Sequence, residues 1–159
     1  GGEDNSSLVL GNGRPFFVKL QNPNKRKLKL ISINLDSLIL RNFKIIDEFP
    51  KKTIKFNSLI EIKISSKTTI YSKYLKTLKN LLNDPVVVYD KSRKRFEKQV
   101  FSLDYKEKSC NDFSLFMKVE GGLPIRRFIE GGDVSPTLSE LLNCECKCDE
   151  FDFHGIDVQ

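Results

Sequence analysis

The chain has 159 residues, 39% of them hydrophobic and 30% charged, with a formal net charge of +6 at pH 7. That composition describes one globular domain or most of one. It excludes a disordered tail and a helical membrane bundle, since no apolar run nears the ~18 residues that a spanning helix needs.

In chain order, the opening GGEDNSS reads as a glycine loop carrying Glu3 and Asp4, and Gly11-Asn12-Gly13-Arg14-Pro15 as a second turn. Phe16 to Leu20 is expected to form a short strand. Gln21 to Lys27 is a polar, basic turn, and Leu28 to Ile33 alternates as a half-buried strand does. The segment from Leu35 to Ile46 fits helix and strand equally. Lys55 to Ile64 alternates again, and Thr68 to Tyr74 is expected to continue as a strand after a turn at Ser65-Ser66-Lys67. Leu75, Leu78, Leu81 and Leu82 then recur at helical spacing, with Lys76 and Lys79 between them, until Asn83-Asp84-Pro85 ends the helix.

Val86 to Tyr89 is a buried-type strand and "DKSRKR" a basic hairpin tip. Val100 to Tyr105 and Phe113 to Val119 look paired. "EGGLPIRRFIEGGD" is a second glycine-bracketed segment. "SPTLSELLN" is expected to be a helix with Ser135 as N-cap and Pro136 at its first position. Cys144 to Cys148 followed by Phe151 to Phe153 makes a closing strand. Strands dominate, helices are short, and the connections are of antiparallel length. The expected class is α+β, a mixed and largely antiparallel sheet with short helices on its face.

The charge is uneven. Residues 140–159 hold six acids and the single base Lys147, which leaves the first 139 residues with 15 acids against 26 bases. Such a body favours a polyanion, because neutralising phosphates releases counterions. A lysine-rich surface without a nucleic-acid partner has the same composition.

Few residues can carry chemistry. The lone histidine, His154, argues against a histidine triad or a histidine metal cluster, and "GNGRPF" lacks the Lys-Ser/Thr and the helix of a phosphate loop. Cys144, Cys146 and Cys148 offer three thiolates on one strand face with no second ligand cluster in reach, so strand alternation is expected to turn them inward with Glu145 and Lys147 facing water. The cysteine pattern is not a secreted disulfide framework and fits a reducing, cytoplasmic compartment. That leaves the carboxylates on the opening glycine loop and the arginines of the second glycine-bracketed segment. An arginine close to a carboxylate holds it ionised.

Two blocks carry a resemblance. "GGEDNSSLVLGNGRPFFVKLQNPNKRKL" resembles the Gly-x-Glu-Asp … Leu-Gly-x-Gly-Arg-Pro-Phe … Asn-Pro-x-Lys-Arg signature of the archaeal and eukaryotic tRNA pseudouridine synthases that act on the two uridines opening the T loop, positions 54 and 55 in tRNA numbering. "GGLPIRRFIEGGDVSPTLSELLNCECKCDEFDF" is similar to that family's closing block. "PVVVYDKSRKR" looks like a loose version of its Pro-x-Arg-Val-x-His-Arg-Arg hairpin, with the histidine absent.

The resemblance implies a pseudouridine-synthase-like catalytic fold, with residues 1–159 forming part of a single catalytic domain whose amino-terminal half, together with an accessory RNA-binding domain, lies outside the chain. Such a fragment is expected to be inactive alone. The implied activity is isomerisation of uridine to pseudouridine in the T arm of tRNA by a monomer, with no metal, nucleotide cofactor or membrane. Asp4 matches the catalytic aspartate and Arg126 the basic residue that pairs with it. Tyr71 matches the tyrosine packed on the target base, with Tyr74 its rival, and Ile125 matches the hydrophobic residue of the last motif. Arg127 stands where the family commonly has an acid, and falls with Arg14, Lys25, Arg26, Lys27, Arg93, Lys94 and Arg95 among groups that would touch phosphate. The other reading is a basic RNA-binding module without catalysis.

Overall fold

The computed structural model describes residues 7–25, 32–48 and 54–159. They divide into two compact units, one of residues 1–14 with 54–159 and one of residues 15–53. The smaller unit holds a hairpin of β1 (Ser32–Leu35) and β2 (Leu38–Arg41), joined by the turn Asp36-Ser37, with Ser32 opposite Arg41. The sequence left helix and strand open from Leu35 on; of the strand expected over Leu28 to Ile33, Ser32 and Ile33 stand in β1 and the rest lies outside the described residues. Strand wins where the Asp-Ser turn allows a tight reversal. The strand expected at Phe16 to Leu20 is not formed. Phe16, Phe17, Val18 and Leu20 are exposed, and no ladder among the described residues includes them. Apolar content without alternation does not by itself make a strand.

The larger unit is built on a four-stranded antiparallel sheet in the order β6–β7–β3–β9. β3 (Phe56–Ser66) is central, flanked by β7 (Asp112–Glu120) and β9 (Cys146–Val158), and β6 (Val100–Glu107) lies outside β7. The alternation in the sequence is that of a sheet with one buried face. Ile60, Ile62 and Ile64 of β3 and Phe113, Leu115, Met117 and Val119 of β7 all point into one core. Short helices close that face: α1 (Ser72–Thr77) with a 3-10 turn at Leu78–Leu82, α2 (Ile125–Glu130) and α3 (Leu138–Leu142). A second sheet, β5–β4–β8, joins β4 (Val86–Tyr89) to β5 (Arg95–Lys98) in a hairpin and to the short β8 (Val134–Ser135).

β9 breaks strict alternation and still faces the core. Its pairing with β3 skips a residue at Asp149 and again at His154. Each bulge resets the phase, so Cys146, Cys148, Phe151 and Phe153 are all buried although the spacing from Cys148 to Phe151 is three.

Three further expectations give way. β3 runs through Ser66, so Ser65 and Ser66 are strand rather than turn. The strand expected from Thr68 to Tyr74 is a loop into α1, where Tyr71 is the N-cap. The β-branched run Thr68-Thr69-Ile70 imitates a strand, but Leu75, Leu78 and Leu81 belong to one helical stripe that is buried as a unit. The N-cap of α3 is Thr137, not Ser135. The Thr137 hydroxyl accepts from the Glu140 N–H (3.2 Å) and the Glu140 carboxylate accepts from the Thr137 N–H (2.9 Å). This reciprocal capping box outcompetes the Ser-Pro start, and Ser135 is left to pair in β8.

The shift of the cap by two residues is testable. Thr137→Ala should lower stability by about 1 kcal/mol, and by no more than about 2. Ser135→Ala should stay within about 0.5 kcal/mol of the parent. Urea midpoints for the two variants measure both, and a larger loss at Ser135 would contradict the assignment.

Candidate active site

α2 carries Arg126. Ile125, Phe128 and Ile129 are buried, which is the i, i+3, i+4 stripe of an amphipathic helix. Arg126, Arg127 and Glu130 fall off that stripe. The helix begins at Pro124 with no side-chain cap and ends at Gly131, whose φ of +118° suits glycine. The Arg126 guanidinium donates from Nη1 to the Cys148 carbonyl oxygen at 2.6 Å and lies 5.9 Å from the centre of the Phe151 ring. One turn on, Glu130 Oε1 accepts from the Cys148 N–H at 2.9 Å. Two side chains of α2 therefore bond both backbone groups of one residue of β9.

The start of the described chain joins the same strand. Val9 bridges Phe153 in parallel, the Leu10 N–H donates to the Phe153 carbonyl at 2.7 Å, and the Phe153 N–H donates to the Leu8 carbonyl at 2.9 Å. The Leu8 N–H donates to the Asp152 carboxylate at 2.9 Å. The chain then turns at Gly11, with φ +61°. A Cβ there would stand 2.7 Å from the His154 carbonyl oxygen, so only glycine lets the turn lie against the second bulge of β9.

Of the other residues singled out by sequence, Asp4 and Arg26 lie outside the described residues, as does Lys27. Ile125 and Arg127 share α2 with Arg126. Ile125 is buried, and Arg127 is exposed with its guanidinium 3.5 Å from Asp133. Arg14 is half-buried, and Lys25 is exposed in the smaller unit. Arg93 and Arg95 belong to the β4–β5 hairpin, where Arg95 pairs with Glu97 at 2.7 Å. That basic tip is ordered by Asp90, whose carboxylate accepts from the Ser92 N–H, the Ser92 hydroxyl and the Lys94 N–H at 2.8, 2.6 and 2.9 Å. The Ser92 hydroxyl first, and the Lys94 N–H next, hold the Asp90 carboxyl below its usual value.

Tyr71 and Tyr74 differ in setting. Tyr71 is 60% exposed, while Tyr74 packs partly against the core. Their rings meet edge to face at 6.3 Å, and the Lys73 ammonium lies 5.6 Å from the Tyr71 ring and 4.8 Å from that of Tyr74. α1 packs on α3, which packs on α2.

Among the cysteines, Cys146 and Cys148 are buried, Cys144 is half-buried and Cys110 is exposed. Glu145 and Lys147 are exposed, as alternation requires. The Cys144 and Cys146 sulfurs are 3.6 Å apart. Among the described residues no group of three metal-ligating side chains converges, and no helix is long and apolar enough to cross a membrane. Burial, and next the neighbouring Cys144, push the Cys146 thiol up to about 12.

The fold is shared with a chain in the crystal structure of a Cbf5–Nop10–Gar1 complex, with a TM-score of 0.50, 14% sequence identity, and coverage of 61% of this chain and 29% of that one. The family model described as "Pus10, C-terminal" matches residues 1–157, and the chain belongs to that family. The protein named tRNA pseudouridine synthase Pus10 of Nitrosopumilus maritimus is 54% identical over all of this chain, which spans 42% of that protein. The same-named protein of Cenarchaeum symbiosum is 35% identical over all of this chain and 40% of its own length. That of Methanocaldococcus jannaschii is 30% identical over 96% of this chain and 37% of its own length. The chain thus spans about two fifths of these relatives.

The family match and the observed sheets with short helices bear out the expected resemblance and α+β class. Glu130, Phe151 and the Cys148 backbone were missed from sequence. The available signal was the charge order of α2, considered below.

The thiols give a prediction. At about pH 8, near the ordinary thiol value, iodoacetamide should label the exposed Cys110 first and reach the buried Cys146 and Cys148 only on unfolding. Cys146 has a folded value raised above its unfolded 9.0. Its contribution to stability is therefore intact below pH 9 and declines as pH rises from there through the folded value. Urea midpoints taken across that window should fall more for the parent than for Cys146→Ala. Equal slopes would contradict the shift.

Proposed function

We propose that this chain supplies the catalytic aspartate, its arginine partner and much of the RNA-binding surface of a tRNA pseudouridine synthase acting on the T-loop uridines, positions 54, 55 or both. Support comes from the family match and from the relatives' names. The observation that carries the reading is the anchoring of Arg126: α2 holds its guanidinium against the Cys148 carbonyl of β9, the strand that residues 8–10 also join, and Asp4 stands four residues before Leu8 in the sequence.

The chemistry suits such a pair. Pseudouridylation breaks the glycosidic bond between C1′ and N1, turns the uracil and rejoins it through C5. One carboxylate beside C1′, acting as nucleophile or as base, is the central requirement. The Arg126 charge keeps Asp4 ionised in a site from which water is excluded. Ile125 provides the buried footing of that helical turn. The uridine must leave its stack to be reached, and the exposed Tyr71 ring offers it a face worth about 1–3 kcal/mol. Arg14, Lys25, Arg26, Arg127, Arg93 and Arg95 hold the backbone of the T arm and give position rather than sequence. The protein works in the cytoplasm.

The test is made on the longer protein, since the chain spans about two fifths of its relatives. Asp4→Asn should abolish pseudouridine formation in an unmodified tRNA transcript while tRNA affinity stays within about threefold, because phosphate contacts carry most of that affinity. Turnover retained in this variant would refute the mechanism. Binding by a parent protein that has no activity would favour a non-catalytic RNA-binding module instead.

A further inference from the structure

α2 is charged the wrong way round. A helix favours acids in its first turn and bases in its last, because of the partial charges on its unsatisfied ends. Here Arg126 and Arg127 open the helix and Glu130 closes it. The spacing of Arg126 and Glu130, i and i+4, also runs in the less favourable direction for a helical ion pair. With six residues and no side-chain cap, α2 has no local stability to spare. A sequence that breaks local rules twice in one turn and a half is serving something outside the helix.

Both misplaced charges meet at Cys148. Arg126 donates to its carbonyl, and Glu130 accepts from its N–H. Cys148 lies in β9 beside the bulge at Asp149, where the strand pairs with β3 on one side and receives α2 on the other. A strand edge presents N–H and C=O groups in turn. A basic side chain satisfies only the C=O and a carboxylate only the N–H, so the two together fix both the rotation of α2 and its position along the strand.

We propose that Glu130 is a positioning residue for the reaction. By holding the Cys148 N–H it sets where the Arg126 guanidinium stands along β9, and so where it meets the reacting carboxylate. It touches neither substrate nor reacting atoms. This inference rests on the function proposed above.

The test uses the longer protein with an unmodified tRNA transcript, comparing kcat and KM in four forms alongside Asp4→Asn. Glu130→Leu removes the acceptor. Glu130→Asp keeps the charge but is one methylene short of the Cys148 N–H. Glu130→Gln loses the charge and keeps an acceptor oxygen. The expected result is a fall in kcat of about tenfold or more for Leu and Asp, since small misplacements of a reacting group are costly. KM should stay within twofold, and Gln should run within threefold of the parent. A merely structural role would lower the melting temperature of the Leu variant without splitting kcat from KM. If the Leu variant fails to fold, the Asp and Gln pair decides the matter. Parental kcat in the Asp variant, or a Gln variant as slow as Asp, overturns the role of Glu130. An inactive parent, or an active Asp4→Asn, overturns the underlying function instead.

Discussion

The two hydrogen bonds at Cys148 are the constraint on which the site geometry depends. The Cys148 N–H and C=O belong to two successive peptide groups of β9, and α2 bonds both. In return, a helix too short to be stable alone is fixed to the longest strand among the described residues. Burial of Ile125, Phe128 and Ile129 fixes the depth of α2 in the core but not its angle, because hydrophobic contact is non-directional. Direction comes from the polar clasp.

The same helix is tied to the basic hairpin at both ends. Before it, the Lys98 ammonium of β5 donates to the Gly121 carbonyl at 2.7 Å, with Glu120 at 3.4 Å. Gly121 also approaches β3, where its N–H bonds the Phe56 carbonyl and any Cβ would strike the Phe56 ring at 2.3 Å. After it, Val134 and Ser135 pair with Val88 and Val87 of β4, and the Tyr89 N–H donates to the Asp133 carbonyl. The hairpin that presents Arg93 and Arg95 is thus built onto the helix that presents Arg126. On the proposed function, a backbone phosphate held at the tip is held at a set distance from the chemistry, which is how phosphate contacts give orientation.

Much of this was legible in the residues. Alternation over Lys55–Ile64, Val100–Tyr105 and Phe113–Val119 marks the sheet because one face of it is buried and the other wet, and those three strands stand where expected. The leucine stripe of residues 75–82 marks its helix for the same reason. Legibility failed where side-chain hydrogen bonding or a missing partner decided the outcome. Thr137 took the cap from Ser135 through a partner three residues on. Phe16 to Leu20 joins no ladder among the described residues. The bulges of β9 hid a continuous strand behind a broken period. Residue types alone narrowed the candidate chemistry to the opening carboxylates and the arginines of α2, but the roles were legible only by resemblance, because α2 is a six-residue helix between glycines. What bare physics could have flagged there was the reversed charge of Arg126 and Glu130. That signal points to a tertiary partner without naming Cys148.

Catalysis on this account needs Asp4 and Arg126 to meet, and the ionisation of Asp4 reports that meeting directly. In the longer protein, a carbon NMR titration of the Asp4 carboxyl should place it well below the ordinary value of about 3.9. In Arg126→Met the same carboxyl should move back up towards that value. An Asp4 that titrates at the ordinary value in the parent, and does not move when Arg126 is replaced, would contradict the account.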